Sequence, residues 1–382
     1  MWHTARWMAV FATSFRVNEQ TDDPLLVQLV GVAFMAPMFL GGAAAGALTD
    51  RFDRHRTIAI WLGVLVPVSA LMALLVAGGR APIGVSYLFI FAVGIGNVLD
   101  MTTRRSLAYG LVGTGLLTNA AALETLALHA GNMVGSFVGG VMIEALGAAS
   151  VYLGVMGICV AALFNLRTSR RFVQTAEPAA VVRSTSLMDE WRQALGLLRT
   201  NPSLRQFLAT TVVMNFFYYS FVPLIPAFAD DLGVGAVLTG VLASAIGAGT
   251  MVGALVISRR QPSRRGLLHI GGSFGAMLML VVFANVTWYP AALAALFVAG
   301  LLGSGFGTTQ SALVVSLVDD AKRGSALGVL SMAIGSLPFG MLSLGLLARR
   351  TDPQMALTIS VCVGLVLLIL WHVIYPNPRR LN

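Results

Sequence analysis

Lysine and cysteine are almost absent from this chain: its 382 residues hold one lysine, Lys322, and two cysteines. Arg323 follows the lysine, so it cannot complete the Gly-Lys-Ser/Thr end of a phosphate-cradling loop, and the chain itself is not an ATP-driven pump. No lysine lies inside an apolar run, which excludes a retinal protein. Cys159 and Cys362 both lie in apolar runs and are interpreted as packing residues, not as a disulfide framework or a metal site.

Charge is also scarce: 11% of the residues are charged, 57% are hydrophobic, and the mean hydropathy is +0.81. Uncharged stretches of about twenty residues recur, each long enough to cross a hydrocarbon core of roughly 30 Å as a helix. A bilayer core offers the backbone no hydrogen-bond partners, so these runs predict helices and not strands. The sequence has no metal-ligand cluster and no nucleophile–base pair, so we expect no enzyme, no metal and no cofactor.

Twelve candidate membrane spans can be marked along the chain. The first is short and has His3, Arg6 and Arg16 in or beside it. The spans are 5–18, 25–48, 57–77, 83–103, 117–143, 148–166, 206–228, 233–258, 266–287, 290–317, 324–347 and 354–375.

Positive charge is distributed unevenly between the loops. The loops after spans 2, 4, 6, 8 and 10, with the tail after span 12, hold 20 of the 25 Lys and Arg residues. The loops after spans 3 and 11 hold only Arg80, Arg349 and Arg350. Positive charge marks the cytoplasmic side, so both termini are predicted to be cytoplasmic in a bacterial-type plasma or inner membrane. The net charge of +9 is therefore explained by the bilayer as partner, and no nucleic acid is predicted.

Two short motifs recur at nearly the same offset. Gly46-Ala47-Leu48 returns as Gly253-Ala254-Leu255 at an offset of 207, and Thr102-Thr103 returns as Thr308-Thr309 at an offset of 206. Together with matching hydropathy, these repeats predict two six-helix halves in the same orientation. The predicted organisation is an N-terminal half over 1–166, a basic cytoplasmic linker over 167–205 and a C-terminal half over 206–382.

The loop between spans 2 and 3 carries a recognisable signature: Gly, three residues, Asp, Arg, one residue, Gly, then basic residues. With the two parallel halves, it resembles the major facilitator superfamily, which implies an all-α membrane protein with twelve transmembrane helices in two pseudo-symmetric halves. Asp53 stands where the second glycine is usual, and His55 stands where a basic residue is common. The positions that fill the pattern are Gly46, Asp50, Arg51, Arg54 and Arg56.

This signature is predicted to act as a conformational latch. Gly46 lets helix 2 approach a neighbour closely. By resemblance, Asp50 accepts hydrogen bonds from the start of helix 11, near Gly324. Arg54 can pair with Asp100 at the inner end of helix 4. Such contacts exist only while the cytoplasmic side is closed, so they would stabilise the outward-open state.

Helices 4 and 5 narrow the resemblance to the drug:proton antiporter branch, which includes the enterobactin exporter and macrolide efflux proteins. The residues concerned are Asp100 to Arg105 and Asn119 to Leu123, followed by a glycine motif in which Ser136 replaces the usual proline. Glycines four residues apart are also ordinary helix-packing residues, and that alternative stays open. The glycines are Gly131, Gly135, Gly139 and Gly140.

Polar residues within the spans are the candidates for substrate and proton binding, because an ionisable group in the membrane usually faces a cavity or a partner. Glu124 could carry a proton or could pair with Arg104 or Arg105, and His129 could assist or could be a packing residue. Arg16 could pair with Glu19 or meet an anionic substrate. The candidates for lining a cavity are Arg16, Asn97, Asn132, Asn215, Tyr218, Tyr219 and Gln310.

The sequence therefore predicts a monomeric secondary transporter that exports a small amphipathic or hydrophobic compound, drug- or siderophore-like, in exchange for protons. An importer of a small nutrient and a transport-inactive receptor or partner subunit remain alternatives. Multidrug resistance through efflux is the physiological role that this branch implies.

The first span also raises a question of length. The positions from Met1 to Val17 make a helix of about 25 Å, short of the roughly 30 Å core. Either the protein begins about 10–15 residues upstream or its first helix is truncated at the cytoplasmic end. We favour the upstream start and expect helix 1 to begin near Met1.

Overall fold

The computed structural model describes residues 1–51, 54–112, 117–173, 196, 198–260, 264–318 and 323–374. All regular elements in these ranges are helices. In chain order they are α1 (Trp2–Thr21), α2 (Pro24–Arg51), α3 (Arg54–Ala77), α4 (Ile83–Val112), α5 (Leu117–Leu146), α6 (Ala148–Val173), α7 (Pro202–Val213), a π turn (Met214–Tyr218), a 3₁₀ segment (Tyr219–Leu224), α8 (Ile225–Asp231), α9 (Ala236–Arg260), α10 (Arg265–Asn285), α11 (Tyr289–Ser316), α12 (Arg323–Ile334), α13 (Leu337–Arg350) and α14 (Pro353–Ile374).

These helices account for the twelve predicted spans. Within the described ranges, ten helical stretches are long and apolar enough to cross a membrane. Two of the ten are composite, because α7 to α8 form one stretch and α12 with α13 form another. The other two predicted spans fall on α2, whose apolar part is Pro24–Met38, and on α1, and neither is among those ten stretches. The all-α prediction is confirmed, and α1 begins at Trp2.

The chain divides into two compact units. Unit 1 comprises Met1–Asp22, Leu29–Ser184 and Gly235–Ser244. Unit 2 comprises Asp23–Gln28, Thr185–Val234 and Ala245–Asn382. Each unit therefore combines most of one sequence half with the start of a helix from the other half. The predicted linker falls mainly on 174–195 and 197, which lie outside the described residues.

The start of α9 belongs to unit 1 because it packs closely on α5. A Cβ on Gly240 would lie 2.7 Å from the Ser136 carbonyl, so only glycine allows the two backbones to approach this far. Ser244 Oγ donates to the Met133 carbonyl at 2.7 Å. The Val237 backbone N–H donates to Glu144 Oε2 at 2.8 Å, which places a carboxylate at the helix N-terminus, where the helix dipole favours negative charge.

The internal repeat is visible in how helices pack within each unit. In unit 1, Gly94 on α4 faces the backbone carbonyl of Phe34 on α2 so closely that a Cβ would not fit. In unit 2, Gly300 on α11 faces the Ile246 carbonyl on α9 in the same way. The two glycines are 206 positions apart, the offset of the repeated threonines. The same backbone contact thus recurs in corresponding helix pairs.

Candidate functional site

Unit 1 contains a buried, positively charged side chain, that of Arg6. Arg6, on α1, is 5% exposed, and its Nη1 donates a hydrogen bond to Asn97 Oδ1 on α4. Its guanidinium carbon lies 5.6 Å from the ring centroid of Trp7, in a cation–π arrangement. His129, on α5, lies within electrostatic range of Arg6. Two predicted residues, Asn97 and His129, therefore converge on an arginine that the sequence analysis noted only as an irregularity of span 1.

Arg16, the second buried arginine of α1, is held by neutral groups. Its Nη1 donates to Ser86 Oγ at 2.5 Å and its Nη2 donates to the Ala81 carbonyl. Glu19, the partner considered in the sequence analysis, is exposed. Arg16 thus fixes α1 to the beginning of α4, and its charge lies inside the helix bundle of unit 1.

The glycine motif of α5 lies at helix contacts. A Cβ on Gly135 would lie 2.6 Å from the Thr4 carbonyl on α1. Added Cβ atoms on Gly131 and Gly139 would meet His3 and Phe11 of the same helix. Gly140 instead faces the backbone of α9. The packing alternative accounts for all four glycines, because each one is where another helix approaches.

The remaining predicted residues of unit 1 are less fully described. Glu124 and Asn132 on α5 are half-buried, whereas the side chains of Arg104 and Arg105 lie outside the described residues. The latch positions Gly46, Asp50 and Arg51 lie at the end of α2, and Arg54 begins α3. Their side chains also lie outside the described residues, and only Arg56 and Asp100 of the predicted latch are described.

Asp100 lines a cavity of about 230 Å³ in unit 1. The cavity lies between the beginning of α1 and the ends of α3, α4 and α6 that the loop charges predict to be cytoplasmic. Its walls are mostly apolar, with Trp2, Trp61, Leu62 and Leu166, and Asn165 is the other polar wall residue besides Asp100. A cavity of this composition can accept an apolar group with few polar contacts.

In unit 2, the predicted cavity residues meet at a break in the seventh pass. The predicted span 206–228 falls within the helical stretch Pro202–Asp231, but this stretch is not α-helical throughout: α7 ends at Val213 and gives way to the π turn and the 3₁₀ segment. Pro223 is a physical cause, because it has no backbone N–H to donate within the helix. Irregular turns of this kind are frequent at functional sites and at transporter binding sites.

The predicted polar residues surround this break. Asn215 Nδ2 donates to the Thr211 carbonyl at 2.9 Å, and Gln310 Nε2 on α11 donates to Thr211 Oγ1 at 3.4 Å. Tyr218 and Tyr219 pack edge to face with ring centroids 4.8 Å apart. All four candidates of the C-terminal half are therefore neighbours in unit 2.

His269 is a buried group that the sequence analysis missed. It lies on α10, is 1% exposed, and its Nδ1 is 3.0 Å from Thr309 Oγ1 on α11. Its ring stacks on Phe207 at 4.2 Å between centroids and lies tilted against Phe306 at 4.9 Å. The available signal was a histidine inside span 9, but nothing in the sequence indicated that it faces one of the repeated threonines.

Comparison with known families decides the identity. The family model described as Major Facilitator Superfamily matches residues 3–339. The chain belongs to the major facilitator superfamily. It is therefore a multi-pass membrane protein of a transporter family, and not an enzyme. The resemblance drawn from the loop between spans 2 and 3 is confirmed.

The similar proteins include transporters named for staphyloferrin A and for enterobactin. The staphyloferrin A transporter of Staphylococcus aureus is 20% identical over 370 residues, which cover 94% of this chain and 91% of the relative. The enterobactin exporter EntS of Citrobacter koseri is 25% identical over 369 residues, covering 91% of this chain and 82% of the relative.

Among solved structures, an inward-facing, unoccupied bacterial homologue of the human lysosomal transporter Spinster has a TM-score of 0.74 at 14% identity. The match covers 99% of this chain and 95% of that one. A D-xylose-proton symporter has a TM-score of 0.72 at 15% identity, covering 97% and 94%. At these identities the likeness shows the fold alone.

Proposed function

We propose that this superfamily member exports a small amphipathic, siderophore-like or drug-like compound by alternating access. The observation that carries the proposal is the buried Arg6 guanidinium, which lies beside the Trp7 ring and the Asn97 amide within unit 1. An ionisable group inside a membrane bundle is expensive and usually serves a substrate or ion path. A cation next to an aromatic face suits a compound that combines acidic or electron-rich groups with apolar surface.

The relatives support the same substrate class. Two of them, an exporter and a transporter, are named for siderophores, and each aligns with more than nine tenths of this chain. Export is the direction named for the enterobactin relative. The likeness of the Asp100 to Arg105 and Asn119 to Leu123 stretches to the drug:proton antiporter branch supports the same direction.

We further propose that protons drive the cycle, with the exporter acting as a monomer in the inner membrane and with both termini in the cytoplasm. The sequence has no nucleotide-binding loop, so an ion gradient is the remaining energy source. One elementary charge that crosses a membrane potential of 100 mV in the favourable direction releases about 2.3 kcal/mol. Glu124 and His129 are the proton-coupling candidates of α5, and the loop charges support the orientation.

The test is transport into inside-out membrane vesicles, with enterobactin, staphyloferrin A and a panel of cationic dyes and antibiotics as probes. Export in the cell corresponds to uptake by such vesicles, and we expect uptake that a protonophore abolishes. Uptake by right-side-out vesicles would instead indicate an importer. Movement of none of the probes in either orientation would favour a transport-inactive partner subunit.

The role of Arg6 is tested in the same vesicles with a matched pair of variants. Arg6→Gln keeps a hydrogen-bond donor for Asn97 but removes the charge, and we expect uptake to fall by about tenfold or more. Arg80→Gln is the control, because Arg80 is exposed outside the helices. Equal uptake in the two variants would contradict a substrate role for Arg6.

A further inference from the structure

The protonation state of His269 can be assigned from its neighbours. Thr309 Oγ1 donates its hydrogen to the Gly305 carbonyl at 2.7 Å, so its oxygen accepts a hydrogen bond from His269 Nδ1 at 3.0 Å. With the hydroxyl hydrogen committed to Gly305 in this way, the hydrogen of the neutral His269 ring is on Nδ1. Its Nε2 is left as a basic nitrogen with a free lone pair.

That lone pair lies in a buried, aromatic environment. Among the described residues, Nε2 of His269 has no hydrogen-bond partner. The Phe207 ring stacks on the His269 ring at 4.2 Å between centroids, and the Phe306 ring lies tilted beside it at 4.9 Å. A buried acceptor without a partner is costly and calls for a functional explanation. The stacked Phe207 ring would stabilise the imidazole if it became a cation.

A second histidine of unit 2 lies within electrostatic range. His372, on α14, donates from Nδ1 to the Leu368 carbonyl at 2.8 Å, because a carbonyl can only accept. Like charges at this range oppose each other, so the pair favours binding one proton over two.

No carboxylate in the neighbouring elements would compete for that proton. The elements packed on α10 include α11, α14 and the π turn, and α7 reaches it through Phe207. The sequences of α11, α14 and the π turn contain no Asp, Glu, Lys or Arg. Arg264 and Arg265 lie at the start of α10, and Arg205 lies on α7. The titratable groups on the packed elements are Tyr218, Tyr289, Cys362 and His372.

We propose that His269 is a proton-binding site of unit 2, in addition to the Glu124 and His129 candidates of α5. When the site opens to water, Nε2 takes a proton and forms an N–H bond, and the cation is stabilised by the stacked Phe207 ring. Phe207 lies on α7, and Phe306 lies 6.2 Å from Tyr219 between ring centroids. The charge on His269 is thereby linked to the broken pass that carries the cavity candidates.

The direct test is nitrogen NMR of the full chain in lipid nanodiscs, with ¹⁵N-labelled histidine, from about pH 8, where imidazoles are neutral, down to the lowest pH at which the chain stays folded. The chain has five histidines. His269→Asn removes the basic Nε2 while its amide can still donate to Thr309, so the resonances lost in this variant identify His269. We expect them to change from a neutral Nδ1–H pattern to a doubly protonated pattern as pH falls. A neutral pattern throughout would overturn the proposal.

Two further variants make the result decisive. Ser273→Ala removes a hydrogen bond of 2.7 Å to the carbonyl of His269 itself and leaves the ring in place, so its His269 signals should titrate as in the parent protein. If His269→Asn does not fold, His269→Phe keeps the aromatic stack and supplies the assignment. Titration that is lost in Ser273→Ala as well would mean that general loosening, and not the Nε2 site, controls the protonation.

The inference rests on the proposed exchange with protons, and transport separates the two. With enterobactin as the probe in inside-out vesicles, we expect protonophore-sensitive uptake in Ser273→Ala and its loss in His269→Asn. Protonophore-sensitive uptake by His269→Asn would overturn the coupling role of His269. If the parent protein moves no enterobactin, the proposed substrate class fails, whereas the NMR titration still decides whether His269 binds a proton.

Discussion

Gln28 Nε2 donates a hydrogen bond of 2.9 Å to the backbone carbonyl of Ser220, and both residues are fully buried in unit 2. Ser220 lies in the 3₁₀ segment, where its carbonyl would normally accept from the residue three positions later. That residue is Pro223, which has no N–H. The Gln28 side chain therefore supplies a donor that the break in the seventh pass lacks, at a buried carbonyl.

Gln28→Met should destabilise the protein, because it leaves the Ser220 carbonyl without its donor while keeping a side chain of similar length. The expected cost is about 1–3 kcal/mol, read as a lower thermal unfolding midpoint of the purified protein. Gln20→Met is the control, since Gln20 is exposed at the end of α1. Equal midpoints for the two variants would show that the broken segment does not depend on Gln28.

Gly135→Ala should separate α1 from α5, because the new Cβ would lie 2.6 Å from the Thr4 carbonyl. Backbone atoms cannot move aside as a flexible side chain can, so we expect a loss of about 1–3 kcal/mol and a lower yield of folded protein. Gly157→Ala on α6 is the matched control, as its Cβ would meet nothing within 4 Å. A Gly135→Ala protein as stable as Gly157→Ala would contradict the packing explanation of the glycine motif.

Asp50→Asn and Arg54→Ala should each reduce transport by about tenfold or more while leaving the protein folded and inserted. The reason is that the predicted latch stabilises only one conformational state, so its loss changes the balance between states and not the overall stability. Transport and thermal unfolding are measured on the same preparations. Near-normal transport in either variant would remove the latch hypothesis.

Glu124→Gln should abolish uphill export yet retain substrate binding, because the amide keeps the shape of the side chain and loses only its titration. Binding is measured on purified protein, and uphill movement is measured in inside-out vesicles with and without a protonophore. Export that remains protonophore-sensitive in this variant would assign the proton to another group, with Asp100 and His129 as the next candidates of unit 1.

The α5 glycines show that a sequence motif can have two interpretations until the helices that it contacts are known. Gly131, Gly135 and Gly139 fit both an antiporter motif and ordinary helix packing when read from sequence. The structure shows what each one touches, and α1 is the partner of all three. Their spacing was therefore predictable, but their partner was not, because a four-residue period fixes a helix face and not what the face meets.

The sequence by itself determined the all-helical membrane architecture, the internal repeat and the superfamily. Apolar length is sufficient for the passes, because a bilayer permits only a helix of about twenty residues. The signature from Gly46 to Arg56 is local, so no tertiary contact is needed to recognise it. Even the offset of 206 could be found from the repeated threonines before Gly94 and Gly300 were seen to make equivalent contacts.

Only the tertiary structure decided which polar groups meet. Arg6 and Asn97 are hydrogen-bonded although they are 91 positions apart in the sequence. His269 contacts Thr309, which is 40 positions away. In a water-soluble helix, the polar face points to solvent and fixes the rotation of the helix about its axis. A membrane helix is apolar on most sides, so its rotation is set by close packing at small residues and by the few internal hydrogen bonds, and these depend on every neighbouring helix at once.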